Sequence, residues 1–369
     1  MQLSVVIVHY KVPAFLALCL DSVQKALADF EAEIIVVDNH SQDESAAITK
    51  ELFPSVNYIA LNQNIGFAKA NNLGVNKASG EFVCILNPDT VVPEDCFKRL
   101  FEYYSKQKNP GIIGIRMLDG SGNFLPESKR NFPSLRTALY KFLNISSKKH
   151  HYYADAVAPK ENAAVAILAG AFMFLSKEHY HAVCGFDETY FMYGEDIDLS
   201  YQMLLSGKQN YYFGTNFIIH FKGESGQKDK AYAQRFYSAM RIFFYKYSKG
   251  NFLSLGLVKL VTDVLPYFYP TKTNVKVHMP ATENCILITK QLLNHPFFLQ
   301  KTTPDRLVDI SKTHWVFDTE SLSYTEILQI IEQESTQNST LEFAFYNAKL
   351  SLILGSSNKK AKGYVIKID

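Results

Sequence analysis

The sequence predicts an α/β protein built on a mostly parallel sheet. Over residues 1–90, β-branched apolar runs alternate with helical stretches. Their spacing fits right-handed crossovers between parallel strands. Polar residues collect just after the carboxyl ends of the runs, where open α/β sheets bind ligands. Leu3–Val8 is the first strand, apolar enough to be buried on both faces. A helix is predicted from about Pro13 to Ala28, with proline in its first turn. Glu33–Val37 forms the second strand and ends in Asp38-Asn39, after which Ser41-Gln42-Asp43-Glu44 reads as an N-cap with an acidic first turn. Val56–Leu61 is the third strand, Phe67–Lys77 a helix, and Glu81–Leu86 the fourth strand, which runs into Asn87-Pro88-Asp89-Thr90.

Residues 111–159 are less regular and include Lys129, Arg130, Phe132 and Tyr140. Ala163–Leu175, containing Gly170, reads as a strand of small and apolar residues. A dense segment from Cys184 to Leu199 leads into a helix to about Ser206, a strand near Asn210–Phe213, and Ile218-Ile219-His220. Residues 222–249 carry seven Lys or Arg against two Asp or Glu, a local excess of positive charge. Phe236, Met240, Phe243, Phe244 and Tyr247 share one helical face there. Asn251–Tyr269 follows, almost wholly apolar, with only Lys259 and Asp263 charged. Such a pair suits an anionic membrane surface; a helix packed on the preceding domain is the alternative. The chain therefore divides into a domain at 1–250, an apolar helical connector at 251–270 and a small α/β module at 271–369. The module has strands near Val275–His278, Trp315–Asp318 and Leu341–Ala344 and a helix at Tyr324–Gln333, without a phosphate loop or a readable active site.

Composition narrows the function. At 369 residues the chain exceeds one ordinary domain of ~100–200 residues. With 47% hydrophobic and 20% charged residues, wholesale disorder is excluded. Lys and Arg total 38 against 36 Asp and Glu, which leaves no overall field for nucleic acid. Five scattered cysteines without C-x-x-C argue against a disulfide framework and a zinc ribbon. The amino-terminal segment lacks a basic leader, and no run of ~18 apolar residues occurs, so a cytoplasmic location is expected. Neither G-x-G-x-x-G nor a Walker A loop follows the first strand, which speaks against a nicotinamide dehydrogenase or an epimerase.

Four polar features fall at strand or helix ends: Asp38, Asp89, the Glu195-Asp196 pair and His220. An acceptor at Asp38 suits a base or ribose, and a carboxylate at Asp89 suits a hard cation bound to a diphosphate. Crowded carboxylates at Glu195-Asp196-Ile197-Asp198 favour a helix start, and equally suit general-base chemistry. Singly, each is as readily a turn residue, a cap or a core histidine.

Their order changes that weighting. Ser4–Tyr10, Ile35–Asp43, Asn64-Ile65-Gly66-Phe67-Ala68-Lys69 through Gly74, Leu86–Thr90, Gly185–Leu199 and His220–Ser225 occur in sequence, and together they resemble family 2 glycosyltransferases, in particular the bacterial rhamnosyltransferase-like branch. The resemblance covers about residues 1–250. It implies a GT-A fold, which is Rossmann-like and binds a nucleotide sugar, and an inverting transfer from a nucleotide-diphosphate sugar. It implies that Asp38 contacts the base, with His9, Asn64, Gly66, Lys69 and Asn87 also on the donor side. Asp89 and His220 would hold a divalent cation, Mg²⁺ or Mn²⁺, although Asn87-Pro88-Asp89 lacks one carboxylate of the strict D-x-D motif. Asp196 would be the catalytic base, with Glu195 and Tyr193 on the acceptor. Tyr190 and Phe191 just before it would pack on an acceptor sugar or fill a core loop. The implied acceptor is a glycan or lipid-linked glycan of bacterial surface polysaccharide, and rhamnose is the implied donor sugar. A peripheral position at the inner face of the plasma membrane and a homo-oligomer are compatible with this. The alternative is a catalytically silent subunit that binds a nucleotide sugar or glycan. The tail beyond residue 270 resembles an appendage of other glycosyltransferases and implies a binding or assembly role.

Overall fold

The computed structural model describes residues 1–132, 152–221, 229–247, 252–270, 285–291, 301–304, 314–338, 341–356 and 363–368. In the first part, β1 (Leu3–His9), β2 (Ala32–Asp38), β3 (Asn57–Ala60) and β4 (Phe82–Leu86) lie parallel in the order β3-β2-β1-β4. Register pairs His9 with Asp38 and Ile7 with Leu86, so the strand ends form one polar rim. The other half of the sheet is mixed. It uses β5 (Thr90–Val91), β6 (Pro110–Leu118), β8 (Asn162–Ala164), β10 (Phe172–Ser176) and β11 (Gln209–His220), while β7 (Lys129–Arg130) and β9 (Ile167–Leu168) pair separately. β10 runs antiparallel between β4 and β6, and β11 brings His220 opposite Thr90. The α/β class and the parallel half are as expected.

Several local readings change. The helix Phe67–Lys77 matches its expected bounds, and the first helix, Pro13–Ala26, stops two residues early. Ser41–Glu44 does not begin a helix. The Ser41 amide donates to Asp38 Oδ1 (2.9 Å) and the Ser45 amide to Asp43 Oδ1 (3.0 Å), so a polar loop persists until Ser45. The single strand expected at Ala163–Leu175 is three, because β9 leaves the sheet to pair with β7 and the Gly170 amide turns toward Asp196. The helix Cys96–Ser105 and β6 have no counterpart among the expected elements. β6 is buried almost throughout, and Gly114 lets Leu168 approach within 2.6 Å of where a Cβ would sit.

The aromatic face of Lys230–Tyr247 packs inward. Ala239 and Phe243 form a buried cluster with Tyr190 and with the half-buried Tyr193 and Ile197. This is the packed alternative to the membrane reading for that helix. Phe252–Val264 follows, and no helix among the described residues is long and apolar enough to cross a membrane.

The second sheet has the order β13-β12-β14-β15-β16-β17, built from β12 (Cys285–Ile288), β13 (Lys301–Thr302), β14 (His314–Asp318), β15 (Glu342–Asn347), β16 (Leu352–Gly355) and β17 (Tyr364–Lys367). Its helix, Tyr324–Gln337, is capped by Ser323, whose Oγ accepts the Glu326 amide (3.1 Å). The strand expected at Val275–His278 lies outside the described residues.

One buried apolar cluster joins the two sheets. It contains Val12, Phe15, Leu18, Val91 and Phe221 from the first and Trp315, Phe317, Ile327 and Phe345 from the second. Polar contacts reinforce it. Glu94 accepts the Tyr324 and Thr325 amides (2.7 Å each), so a carboxylate from one sheet caps a helix of the other. The buried Tyr324 hydroxyl donates to Asp21 (2.6 Å), and Arg116 pairs with Glu332 at 2.5 Å. The expected outcome is one calorimetric transition for the whole chain. Glu94→Ala should lower the unfolding free energy by about 1–2 kcal/mol, as loss of a helix cap does. Two separate transitions in the unaltered protein would show that the sheets unfold independently.

Candidate active site

The polar rim at the end of β2 is organised by Asp38 and by Asn39, which follows it. Asn39 Oδ1 accepts the Ile65 amide (2.8 Å) and its Nδ2 donates to the Gly66 carbonyl (3.3 Å), tying the 64–66 loop to the sheet. Asn64 Oδ1 accepts the Gly66 amide (3.0 Å). Gly66 has φ +86°, and a Cβ there would lie 2.5 Å from the Phe191 carbonyl oxygen. Only glycine meets both demands. The next amide, of Phe67, donates to that same oxygen (2.8 Å), joining the loop to the segment before the carboxylate pair. His9 is wholly buried, with its Nε2 3.4 Å from Asp43, and burial holds its pKa below the ordinary value. It therefore supports the loop from beneath. Lys69 is exposed on the helix Phe67–Lys77, and its side chain makes no hydrogen bond or ion pair among the described residues.

Asp89, His220 and Asn87 do meet. His220 Nε2 lies 3.3 Å from Asp89 Oδ1 and 3.4 Å from Asn87 Nδ2, and the Phe221 amide donates to the Asp89 carbonyl (3.0 Å). Asp89 and His220 are both buried, while His220 Nδ1 and Asn87 Oδ1 are buried without a hydrogen-bond partner. Buried polar atoms left unpaired are costly unless a ligand meets them. One carboxylate, one imidazole and one amide oxygen suit a hard cation that takes its remaining ligands from a diphosphate. No group of three His, Cys, Asp or Glu side chains assembles among the described residues.

The third component is the N-terminus of Glu195–Leu205. Arg130 Nη2 donates to Asp196 Oδ2 and to the Leu168 carbonyl (2.9 Å), and the Gly170 amide donates to the same carboxylate oxygen (3.1 Å). A Cβ on Gly170 would stand 3.1 Å from Asp196 Cβ, so a side chain there would crowd the carboxylate. Asp196 is thus fixed by three elements far apart in sequence. Glu195 is its opposite: buried, with Oε2 unpartnered. Burial first, and then the adjacent Asp196, push its carboxyl up to about 8. Asp198 has a structural task. Lys246 (3.0 Å) and the Tyr247 hydroxyl (2.7 Å) bind it, locking Lys230–Tyr247 to the site helix.

The aromatics divide. Tyr190 is core, its hydroxyl 3.4 Å from Asp198. Tyr193 leans on Tyr232, with centroids 5.1 Å apart. Phe191 stays exposed beneath the Arg235 guanidinium. Arg130 is the residue whose importance the sequence hid. It sits in an irregular stretch beside Lys129, and only the β7–β9 pairing brings it to Asp196.

Known proteins share parts of this chain. Residues 4–182 match the family model described as Glycosyl transferase family 2. The N-acetylglucosaminyl-diphospho-decaprenol L-rhamnosyltransferase of Mycobacterium tuberculosis is 26% identical over 214 residues, 54% of this chain and 69% of that relative. The rhamnosyltransferase WbbL of Escherichia coli is 27% identical over 220 residues, 54% of this chain and 79% of that relative. Among solved structures, S. aureus TarS 1–349 superposes with a TM-score of 0.46 at 16% identity, over 73% of this chain and 72% of that one.

The Glu195 environment has a consequence for pH. The folded chain keeps a proton up to about pH 8 that the unfolded chain, with an ordinary value of 4.5, releases earlier. Stability from this group is therefore full below pH 4.5 and is lost as pH rises through 8. Melting curves from pH 5 to 9 should show the unaltered protein losing stability relative to Glu195→Gln; parallel curves would contradict a protonated Glu195.

Proposed function

We propose that this chain, a glycosyltransferase of family 2 by its residues 4–182, moves a sugar with inversion from a nucleotide-diphosphate donor to a glycan or lipid-linked glycan acceptor in bacterial surface polysaccharide synthesis. The observation that carries the proposal is the pairing of two unlike centres. Asp89, Asn87 and His220 form one, with orphaned buried donor atoms; Asp196, held by Arg130 and Gly170, forms the other. The GT-A expectation gives the donor the rim between Asp38 and Asp89. Rhamnose is the favoured sugar because two relatives are named as rhamnosyltransferases.

Each residue then has a step. Asp38 and the 64–66 loop hold the nucleoside. A cation held by Asp89 and His220 would supply charge neutralisation to the departing diphosphate. Asp196 accepts the acceptor hydroxyl proton while that oxygen bonds to the anomeric carbon and the bond to the diphosphate breaks, its electron pair leaving with the phosphate. Asp196 Oδ2 already accepts from Arg130 and the Gly170 amide, whereas Oδ1 accepts only from the Ile197 amide (2.8 Å) and keeps a lone pair for this proton. The Arg130 guanidinium pairs with Asp196 and not with Glu195. Glu195, protonated at neutral pH, does not compete for the proton and can donate a hydrogen bond to the acceptor. A base on the face opposite the leaving group gives inversion without a covalent intermediate.

Asp196→Asn is expected to lower turnover by about 10²–10⁴-fold while leaving donor affinity in place; unchanged turnover would remove Asp196 from the mechanism. In thermal-shift titrations, nucleoside diphosphates should raise the melting temperature further with Mn²⁺ or Mg²⁺ present. Asp89→Asn should abolish that cation-dependent increment, and an increment that survives would move the cation elsewhere.

A further inference from the structure

Four large apolar side chains stand bare on the turn of chain that follows the site helices. Leu260 is 62% exposed, Val264 43%, Tyr267 73% and Phe268 79%. Leu260 and Val264, four residues apart, share one face of Phe252–Val264, and Tyr267 and Phe268 follow on the short 3-10 turn Leu265–Phe268. Their charged neighbours are biased. Lys259 is exposed within the stripe, and the Lys230 ammonium lies 4.3 Å from the centre of the Tyr267 ring. Neither lysine has an ion pair among the described residues. Of the acids nearby, Asp263 is neutralised by Arg241 (2.7 Å), and Asp229 Oδ1 accepts the Tyr232 amide (2.8 Å).

We propose that this stripe is a membrane-docking surface that lies flat in the interface of an anionic bilayer. Leucine and valine enter the acyl boundary, tyrosine and phenylalanine sit at its edge, and the lysines meet acidic headgroups. A helix of 13 residues is too short to cross the ~30 Å hydrocarbon core, so the segment rests on the bilayer. Four side chains are also far fewer than the ~20–30 residues per side of a stable protein interface, which disfavours a second copy as the occupant. The position of the stripe gives it a use. Lys230–Tyr247 carries Lys230 over Tyr267 and, on neighbouring turns, Tyr232 and Phe236 against Tyr193 and Arg235 over Phe191. One helix therefore connects the docking surface to the acceptor side. Presentation of a lipid-linked acceptor from that surface rests on the transfer proposed above; docking itself does not.

Flotation of the full chain with vesicles of phosphatidylcholine, with and without phosphatidylglycerol, tests the surface without substrates. The expected result is binding to the phosphatidylglycerol vesicles that weakens with salt and falls at least about tenfold in the Leu260→Glu, Phe268→Glu double variant. Because both side chains are exposed, the variant should keep its melting temperature and its activity on a soluble acceptor. Lys259→Glu should reduce the preference for the anionic lipid. Asp196→Asn should float like the unaltered protein, which separates this test from that of the catalytic base. Absence of flotation, equal flotation of the double variant, or a change only in its oligomeric mass by light scattering would overturn the proposal.

Discussion

The arrangement of the site hangs on one buried ion pair. Arg130 comes from a two-residue strand, Asp196 from a helix start, and the Leu168 carbonyl from a second short strand; the guanidinium touches the other two. Removing one partner of such a pair leaves an uncompensated charge in the interior, at a cost of roughly 3–5 kcal/mol. Its geometry also gives two adjacent acids opposite characters. Asp196 receives a positive charge and two donated hydrogen bonds from elsewhere in the chain, while Glu195, one residue away, is buried with a free oxygen. A helix start crowded with carboxylates becomes selective because one arginine reaches only one of them.

The second sheet bears on the Asp89–His220 cluster. Phe221 directly follows His220 and lies edge-on to Phe15 (5.0 Å between centroids) on one side and Phe345 (5.9 Å) on the other. Its amide holds the Asp89 carbonyl. Interiors packed this closely transmit displacement instead of absorbing it, so the carboxyl-terminal strands help set the separation of Asp89 and His220. The carboxyl-terminal module thereby takes part in the geometry of the Asp89–His220 cluster.

Much of this was legible in the chain. The parallel strands β1 to β4 and the Phe67–Lys77 helix follow from apolar runs and their spacing, and the meeting of Asp89 with His220 was implied by the family resemblance. Features that depend on distant pairing were not. β9 looks like part of one longer apolar run because local sequence cannot tell which partner a strand will choose. Arg130 is one basic residue among several until that pairing forms. The aromatic stripe at 236–247 has the same spacing whether it meets lipid or protein, and only burial of Phe243 and Phe244 distinguishes the two. His9 looked like a ligand contact, yet its ring is wholly enclosed.

The contact between Gly66 and Phe191 reaches beyond the local turn. The 64–66 loop and the segment before Glu195 meet backbone to backbone, with no side chain to act as a spacer. They form a single mechanical unit, so neither can be redesigned in isolation. An exchange of residues 186–193 with the corresponding segment of a relative would have to keep the carbonyl of residue 191 in register with the Phe67 amide, or the graft would disturb the 64–66 loop as well.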